Sequence, residues 1–468
     1  MGHYFTGALV GDFISQASFD RSETGLDRLE LPSDALGHTR FANLLLDRAR
    51  ELPPGSVIAV QGSWGRGKTD VLARLARQTW DDPAPRGVSG RALWINPWQY
   101  GYPDLLTPLV IELLGRAESK GKLDMVKVRA AAKSVIKAGV SFGAKAATVS
   151  MPAMGSLAAF ADAATGPTLD ILEAFLARGP ERVDLDPVAA MARRFRELVE
   201  FVIPEDERKL GGRLIVCVDD LDRCLPDRQV ALLQALRFLC AAGAPVTILV
   251  ALDPTLARQA IVAHYRTDAF DPERYLDKMF HLRLHLPAVG PQDLGGLVEA
   301  HLNREVLDPE RLYRVRDLLR PVLGEDGLAA LPQLAGEALS VPDLRNPRVI
   351  ERIFRKLEIL GHAAAEVKLT RKQPRDVALW LMWLAIAERW PDVRAAMQDA
   401  DSFFAERFGM FRERLLSGKP SGVAVVDRLA EGPGVPELTQ VLRSVREDVR
   451  YTGALLQSFD EALVGLGL

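Results

Sequence analysis

The chain has 468 residues, 48% hydrophobic and 26% charged, with a formal net charge of −3. That length exceeds one ordinary core and calls for two or three folding units, and the composition excludes a disordered chain. The near-balanced charge gives no global attraction to nucleic acid or anionic membrane; Cys217, Cys224 and Cys240 lack zinc-site spacing and fit a reducing cytoplasm.

Residues 1–33 carry no strong periodicity and read as an N-terminal arm, without a basic-then-apolar leader. Phe41, Leu44, Leu45, Leu46 and Ala49 recur at helical spacing and predict a helix over 38–50. Pro53, Pro54 and Gly55 end it. Val57-Ile58-Ala59-Val60 then forms a short apolar run that suits a buried parallel strand.

Gly62-Ser63-Trp64-Gly65-Arg66-Gly67-Lys68-Thr69 fits G-x-x-x-x-G-K-[ST] at every fixed position. A strand before it and a helix after it are the context in which that pattern cradles phosphate. The glycines free the backbone so that N–H groups can face phosphate oxygens, and the start of the helix adds positive potential. Lys68 is expected to reach the β- and γ-phosphates, and Thr69 to offer its hydroxyl to Mg²⁺.

Ala92-Leu93-Trp94-Ile95 predicts a second buried strand, followed by Asn96-Pro97-Trp98-Gln99-Tyr100. Asn96 could bond near the γ-phosphate; the aromatics suit packing at a strand end. Residues 116–185 are rich in Ala, Gly and Ser. From Ala146 to Ala161 there are 16 residues without a charge, short of the ~20 that span a bilayer. The expectation is a helical insert, soluble or surface-associated, with membrane association not favoured.

Leu214–Val218 is the third strand and ends in Asp219-Asp220, the Walker B pattern. Asp219 is assigned to the metal, and Asp220 to orienting or deprotonating the attacking water. The distance from Lys68 to Asp219 far exceeds one strand and two helices, so an insertion must lie between them. A helix over 227–241 and a fourth strand, Val246–Leu252, follow. Asp253 either reads the γ-phosphate or caps the next helix. Arg223, Arg258, Arg274 and Arg348 are candidate phosphate-sensing arginines, against the alternative of solvated charges. Beyond 288 the pattern is helical, with helices expected over 291–305, 309–323, 347–362, 375–399 and 401–417, and with Trp380, Trp383 and Trp390 in their core.

Several boxes together resemble the KAP family of P-loop NTPases. Asn96-Pro97-Trp98-Gln99-Tyr100 resembles its N-A-W-x-Y box, with Pro97 in place of Ala. Asp219-Asp220-Leu221-Asp222-Arg223-Cys224 is similar to its D-D-L-D-R-C. Tyr275-Leu276-Asp277-Lys278-Met279-Phe280 resembles its Y-L-E-K-hydrophobic segment, and Asn346-Pro347-Arg348 its N-P-R motif. Trp383, Trp390-Pro391, Asp34-x-Leu36-Gly37 and Phe41-Ala42 add to the likeness, which covers roughly residues 30–400. It implies an α/β P-loop NTPase with a three-layer core and parallel sheet, a helical insert between Walker A and Walker B, and an all-α C-terminal domain. The expected domains are the arm 1–33, a core 34–288 and a helical domain 289–468. The resemblance further implies a signal-transduction ATPase that binds Mg-ATP and switches its helical domain, with membrane helices in many members at the place of the insert, and bacterial members in anti-phage defence. Arg348, at a helix start, would then couple nucleotide to domain angle or else serve as a cap. ATP is expected over GTP because no N-K-x-D base-reading motif is present. A protein partner and a homo-oligomer stay open; nucleic acid is not indicated. The alternative is a nucleotide-stabilised or membrane-associated scaffold with negligible turnover.

Overall fold

The computed structural model describes residues 34–81, 92–98, 187–241, 243–266, 271–308, 311–339, 341, 344–364, 373–399, 404–432, 434–444 and 449–468, with Leu109 and Leu113. The arm and nearly all of the Ala-rich insert therefore lie outside the described residues. Two compact units are formed: one comprises His38–Leu286, the other Pro287–Leu468 together with a short stretch ending at Gly37.

Among its described residues, the first unit is built on five strands: β1 (Ser56–Gln61), β2 (Leu93–Ile95), β3 (Leu214–Val218), β4 (Val246–Leu252) and β5 (Leu282–His285). All pair in parallel in the order β2-β3-β4-β1-β5. The Walker B strand β3 thus does not touch the phosphate-loop strand β1; β4 lies between them. Alternate side chains divide the sheet into two cores, as the pleat requires. Val57, Ala59, Leu93, Ile95, Val216, Val218, Ile248 and Val250 face one side. Ile58, Val60, Trp94, Ile215, Cys217, Leu249 and Ala251 face the other.

Helices α1 (His38–Glu51) and α2 (Lys68–Asp81) cover the second face through Phe41, Leu45, Leu72 and Leu75. The first face is covered by α3 (Pro187–Val202), α5 (Pro226–Ala241), α6 (Pro254–Tyr265) and α7 (Pro272–Met279), using Phe195, Leu233, Ile261 and Leu276. A short α4 (Glu205–Lys209) precedes β3. This is the expected three-layer α/β core, and helix on both faces explains why β1, β3 and β4 are buried along their whole length. Cys217 is a small core side chain; burial, then the charge of Asp219, push its thiol pKa up.

Among its described residues, the second unit is helical apart from one hairpin. Its helices are α8 (Pro291–Leu302), α9 (Val315–Ala338), α10 (Pro347–His362), α11 (Pro374–Arg389), α12 (Pro391–Gln398), α13 (Phe404–Ser417), α14 (Ala424–Leu429), α15 (Val435–Ser444) and α16 (Val449–Gly465). Where helices were expected over 291–305 and 309–323, residue 305 and residues 311–314 instead fall in the antiparallel pair β6 (Glu305–Asp308) and β7 (Arg311–Arg314). The register explains the difference. Glu305 faces Arg314 and Asp308 faces Arg311, while Val306 meets Tyr313 and Leu307 meets Leu312. Opposite charges and apolar pairs across the strands favour this pairing. The single helix expected over 375–399 is two, divided at Trp390, whose φ of −129° and ψ of 68° are non-helical. Pro391 disfavours helix at the residue before it and starts a new one.

Helix α11 is the centre of this unit, buried on nearly every side. Trp380 stacks on Phe459 at 5.1 Å, and Trp383 meets Phe404 and Phe408 edge-on. All three tryptophans assigned to a helical core are buried. Among the described residues, no helix is long and apolar enough to cross a membrane.

Candidate nucleotide site

The site lies at the carboxyl ends of the strands, where loops from a parallel sheet converge. β1 runs into the turn Gly62–Gly67, and α2 starts at Lys68. Gly65 and Gly67 have φ of +81° and +94°, backbone that L side chains rarely adopt. At Gly67 a second reason applies: a Cβ there would run into the ring of His38.

Lys68 folds back over this loop. Its Nζ donates to the carbonyls of Gly62 at 3.0 Å and Ser63 at 3.4 Å and lies 3.3 Å from Asp222 Oδ2. The same Asp222 oxygen accepts from the backbone N–H of Asp253 at 3.2 Å. Asp253 both caps and tethers. Its Oδ1 accepts from Thr255 and Leu256 at the start of α6, and its Oδ2 accepts from the Trp64 N–H of the loop at 3.1 Å. The two readings of Asp253 from sequence were a cap and a phosphate reader; the geometry makes it a cap that also fixes the phosphate loop.

Asp219 is 1% exposed. A hydrogen bond from the Thr69 side chain reaches its carboxylate, yet Oδ2 is buried without a partner. Burial, then the charge of Asp220, push its pKa up to about 7. Asp220 has a φ of 55°, a left-handed conformation that Asp tolerates better than most side chains. Its Oδ2 accepts from Asn96 Nδ2 at 2.8 Å, and its Oδ1 pairs with Arg223 Nε at 2.8 Å. Burial raises its pKa, and Arg223 and Asn96 oppose that shift. Asn96, expected near a phosphate, thus spends its amide on Asp220, while its Oδ1 accepts from Trp98 N–H at 3.1 Å across Pro97.

The orphaned Asp219 oxygen beside the Thr69 hydroxyl suits a hard divalent cation that keeps water and phosphate among its ligands. Among the described residues, no cluster of three or more His, Cys, Asp or Glu could hold an ion by itself. Thr69 and Asp219 are therefore the residues that would hold Mg²⁺, together with the phosphates it accompanies.

The cost of this arrangement is measurable without nucleotide. A folded-state pKa above the ordinary value means the folded chain disfavours ionised Asp219. The penalty grows as pH rises past about 4 and is complete above about 7, at a few kcal/mol. Asp219→Asn is therefore expected to raise the melting temperature by several degrees at pH 8, and by little at pH 4.5. An equal shift at both pH values would contradict this account.

Two candidate arginines do not join the site: Arg258 pairs with Glu273, and Arg274 with Asp271. Arg348 belongs to the second unit, at the start of α10, where Asn346 Oδ1 accepts its backbone N–H. Sequence reasoning did not single out His38 or Asp70. His38 Nδ1 lies 2.6 Å from Asp70 Oδ2, which also accepts from Arg74 Nε, so a buried polar cluster braces the loop from behind. The position of Asp70 next to Thr69 was the one available signal.

A family model described as the KAP family P-loop domain matches residues 39–364. No curated protein matches the chain. Among solved structures, it is similar to the Aeropyrum pernix ORC2 protein in its ADP form, at a TM-score of 0.34 and 12% identity over 93% of this chain and 88% of that one. The ADPNP-ADP complexes of the same protein match at 0.32 and 12% identity, over 94% and 97% of the two chains. Drosophila ORC bound to DNA matches at 0.28 and 14%, over 92% and 85%.

Proposed function

Because the chain belongs to the KAP family of P-loop NTPases, we propose that it binds Mg-ATP at Gly62–Thr69 and hydrolyses it slowly. One observation carries this reading. Lys68 is held over the phosphate loop by loop carbonyls and Asp222, beside a buried Asp219 oxygen that has no protein partner. Gly62, Ser63, Trp64, Gly65, Arg66 and Gly67 present backbone to the phosphates, and Lys68 contributes the charge. Thr69 and Asp219 would hold Mg²⁺, which when bound offsets charge on the β- and γ-phosphates.

Asp220 orients the water and takes its proton. The water oxygen bonds to the γ-phosphorus while the bond to the bridging β,γ-oxygen breaks. That electron pair leaves with ADP, and the proton passes from Asp220 to solvent. Turnover resets a switch that the nucleotide sets in the helical unit and in its protein contacts.

The test is steady-state phosphate release beside direct ATP binding. Asp220→Asn is expected to bind ATP within about threefold of the parent and to lose at least ~100-fold in turnover. Equal turnover in the variant would remove Asp220 from the reaction. A second reading has its own support: both oxygens of Asp220 are already engaged, by Arg223 and Asn96, which favours a nucleotide-held binding module. ATP binding without phosphate release by the parent would select it. A place in anti-phage defence rests on the family resemblance, and equal phage plating on cells carrying the parent or Lys68→Ala would argue against it.

A further inference from the structure

Arg223 follows the Walker B acids by a single 3-10 turn, Leu221–Arg223. Its guanidinium lies over two indole rings, 5.3 Å from the centroid of Trp64 and 5.3 Å from that of Trp98. Trp64 is a residue of the phosphate loop itself; Trp98 follows β2 by three positions. Both rings are exposed, at 42% and 49%, although large aromatic side chains are ordinarily covered. The Arg223 side chain, by contrast, is 15% exposed.

A guanidinium over aromatic faces keeps its edge donors available, which an ammonium cannot do in the same way. Arg223 uses Nε for Asp220 Oδ1 at 2.8 Å. Its two terminal nitrogens have no partner among the described residues. A permanent cation with free paired donors is therefore fixed in place by a residue of the phosphate loop. It also touches the acid assigned to the water. Paired with Asp220, it offsets acidic charge beside the phosphate loop, where a terminal phosphate would add more.

We propose that Arg223, presented by Trp64 and Trp98, binds the terminal phosphate of a nucleoside triphosphate through its two Nη nitrogens. This rests on the reading of the site as an ATP site and adds its means of telling triphosphate from diphosphate. The planar fork matches two phosphate oxygens. A γ-phosphate competes with Asp220 for Arg223. Its arrival weakens the Nε pairing and frees one Asp220 oxygen for water. The occupied Asp220 oxygens and the proposed hydrolysis are then compatible, because the substrate itself loosens the pair. Trp98 and Trp64 are positioning residues that hold the guanidinium plane.

The experiment is calorimetric binding of ADP and of a non-hydrolysable ATP analogue, with phosphate release from ATP, for the full chain and for Arg223→Ala, Arg223→Lys and Trp98→Leu. ADP affinity within about threefold of the parent shows that each variant is folded and has its loop intact. The expected result is that Arg223→Ala loses about tenfold or more of the preference for the analogue over ADP. Its turnover is expected to fall by ~100-fold or more. Arg223→Lys recovers little, because its point charge lacks the fork, and Trp98→Leu loses part of the same preference. An unchanged preference in Arg223→Ala, or turnover raised by freeing Asp220, would overturn the proposal while leaving the ATP site standing. Failure of the parent to bind either nucleotide would overturn the ATP site, and this inference with it.

Discussion

Lys68→Ala is expected to lower ATP affinity by at least ~100-fold and to abolish turnover. Lys68 is almost wholly buried, and its ammonium is held by the Gly62 and Ser63 carbonyls and by Asp222. It is therefore preorganised at the mouth of the loop, and little reorganisation opposes phosphate binding. Removing a desolvated charge that pairs with an anion costs about 2–5 kcal/mol, which exceeds what the loop N–H groups can restore. A second effect follows from the same geometry. Asp222 is 6% exposed and would lose its paired ammonium. The nucleotide-free variant should therefore also melt several degrees below the parent. Titration calorimetry measures the first effect and a thermal melt the second. ATP affinity within about threefold of the parent would remove Lys68 from the site.

In the helical unit the largest effect is expected at Asp460. This carboxylate is 3% exposed. Its Oδ1 accepts from Trp383 Nε1 at 2.9 Å and Arg394 Nε at 2.7 Å, and its Oδ2 accepts from Gln398 Nε2 at 2.8 Å. It thus ties α16 to α11 and α12. Asp460→Ala leaves a buried indole N–H without an acceptor and the nearly buried Arg394 guanidinium with only the Leu468 carbonyl at 2.7 Å, and is expected to cost about 3–5 kcal/mol. Asp460→Asn keeps one carbonyl acceptor and should cost about half as much. Urea unfolding followed by tryptophan fluorescence reads both, since Trp380 and Trp383 lie in this core. A loss under ~1 kcal/mol for Asp460→Ala would show that water replaces the carboxylate.

The hairpin at 305–314 shows where periodicity misleads. Glu305-Val306-Leu307-Asp308 and Arg311-Leu312-Tyr313-Arg314 each carry two apolar residues flanked by charges, which fits a helical turn as well as a strand. What decided it was the cross-strand match of Glu305 to Arg314 and Asp308 to Arg311; the break near Asp308-Pro309, between the helices expected over 291–305 and 309–323, was legible as a turn signal. The break at Trp390-Pro391 was legible in the same way, since a proline rarely continues the helix that precedes it.

The sequence by itself determined the features that depend on neighbours along the chain. Buried strands read as apolar runs, and the phosphate loop read as glycines at set spacing, because these depend on local backbone freedom and burial. The acids after β3 were legible for the same reason. Only the tertiary structure decided which of these residues act together. Asp220 meets Asn96 across 124 positions, and Trp64 meets Asp253 across 189. Both contacts exist because parallel crossovers bring every strand's carboxyl end to one edge. That convergence also turned Arg223 from one of four candidate arginines into the one stacked on the loop, with Arg258 and Arg274 held by carboxylates elsewhere. A side chain's charge is written in the sequence; the field and the partners that give it a task arise from the order in which the strands are laid side by side.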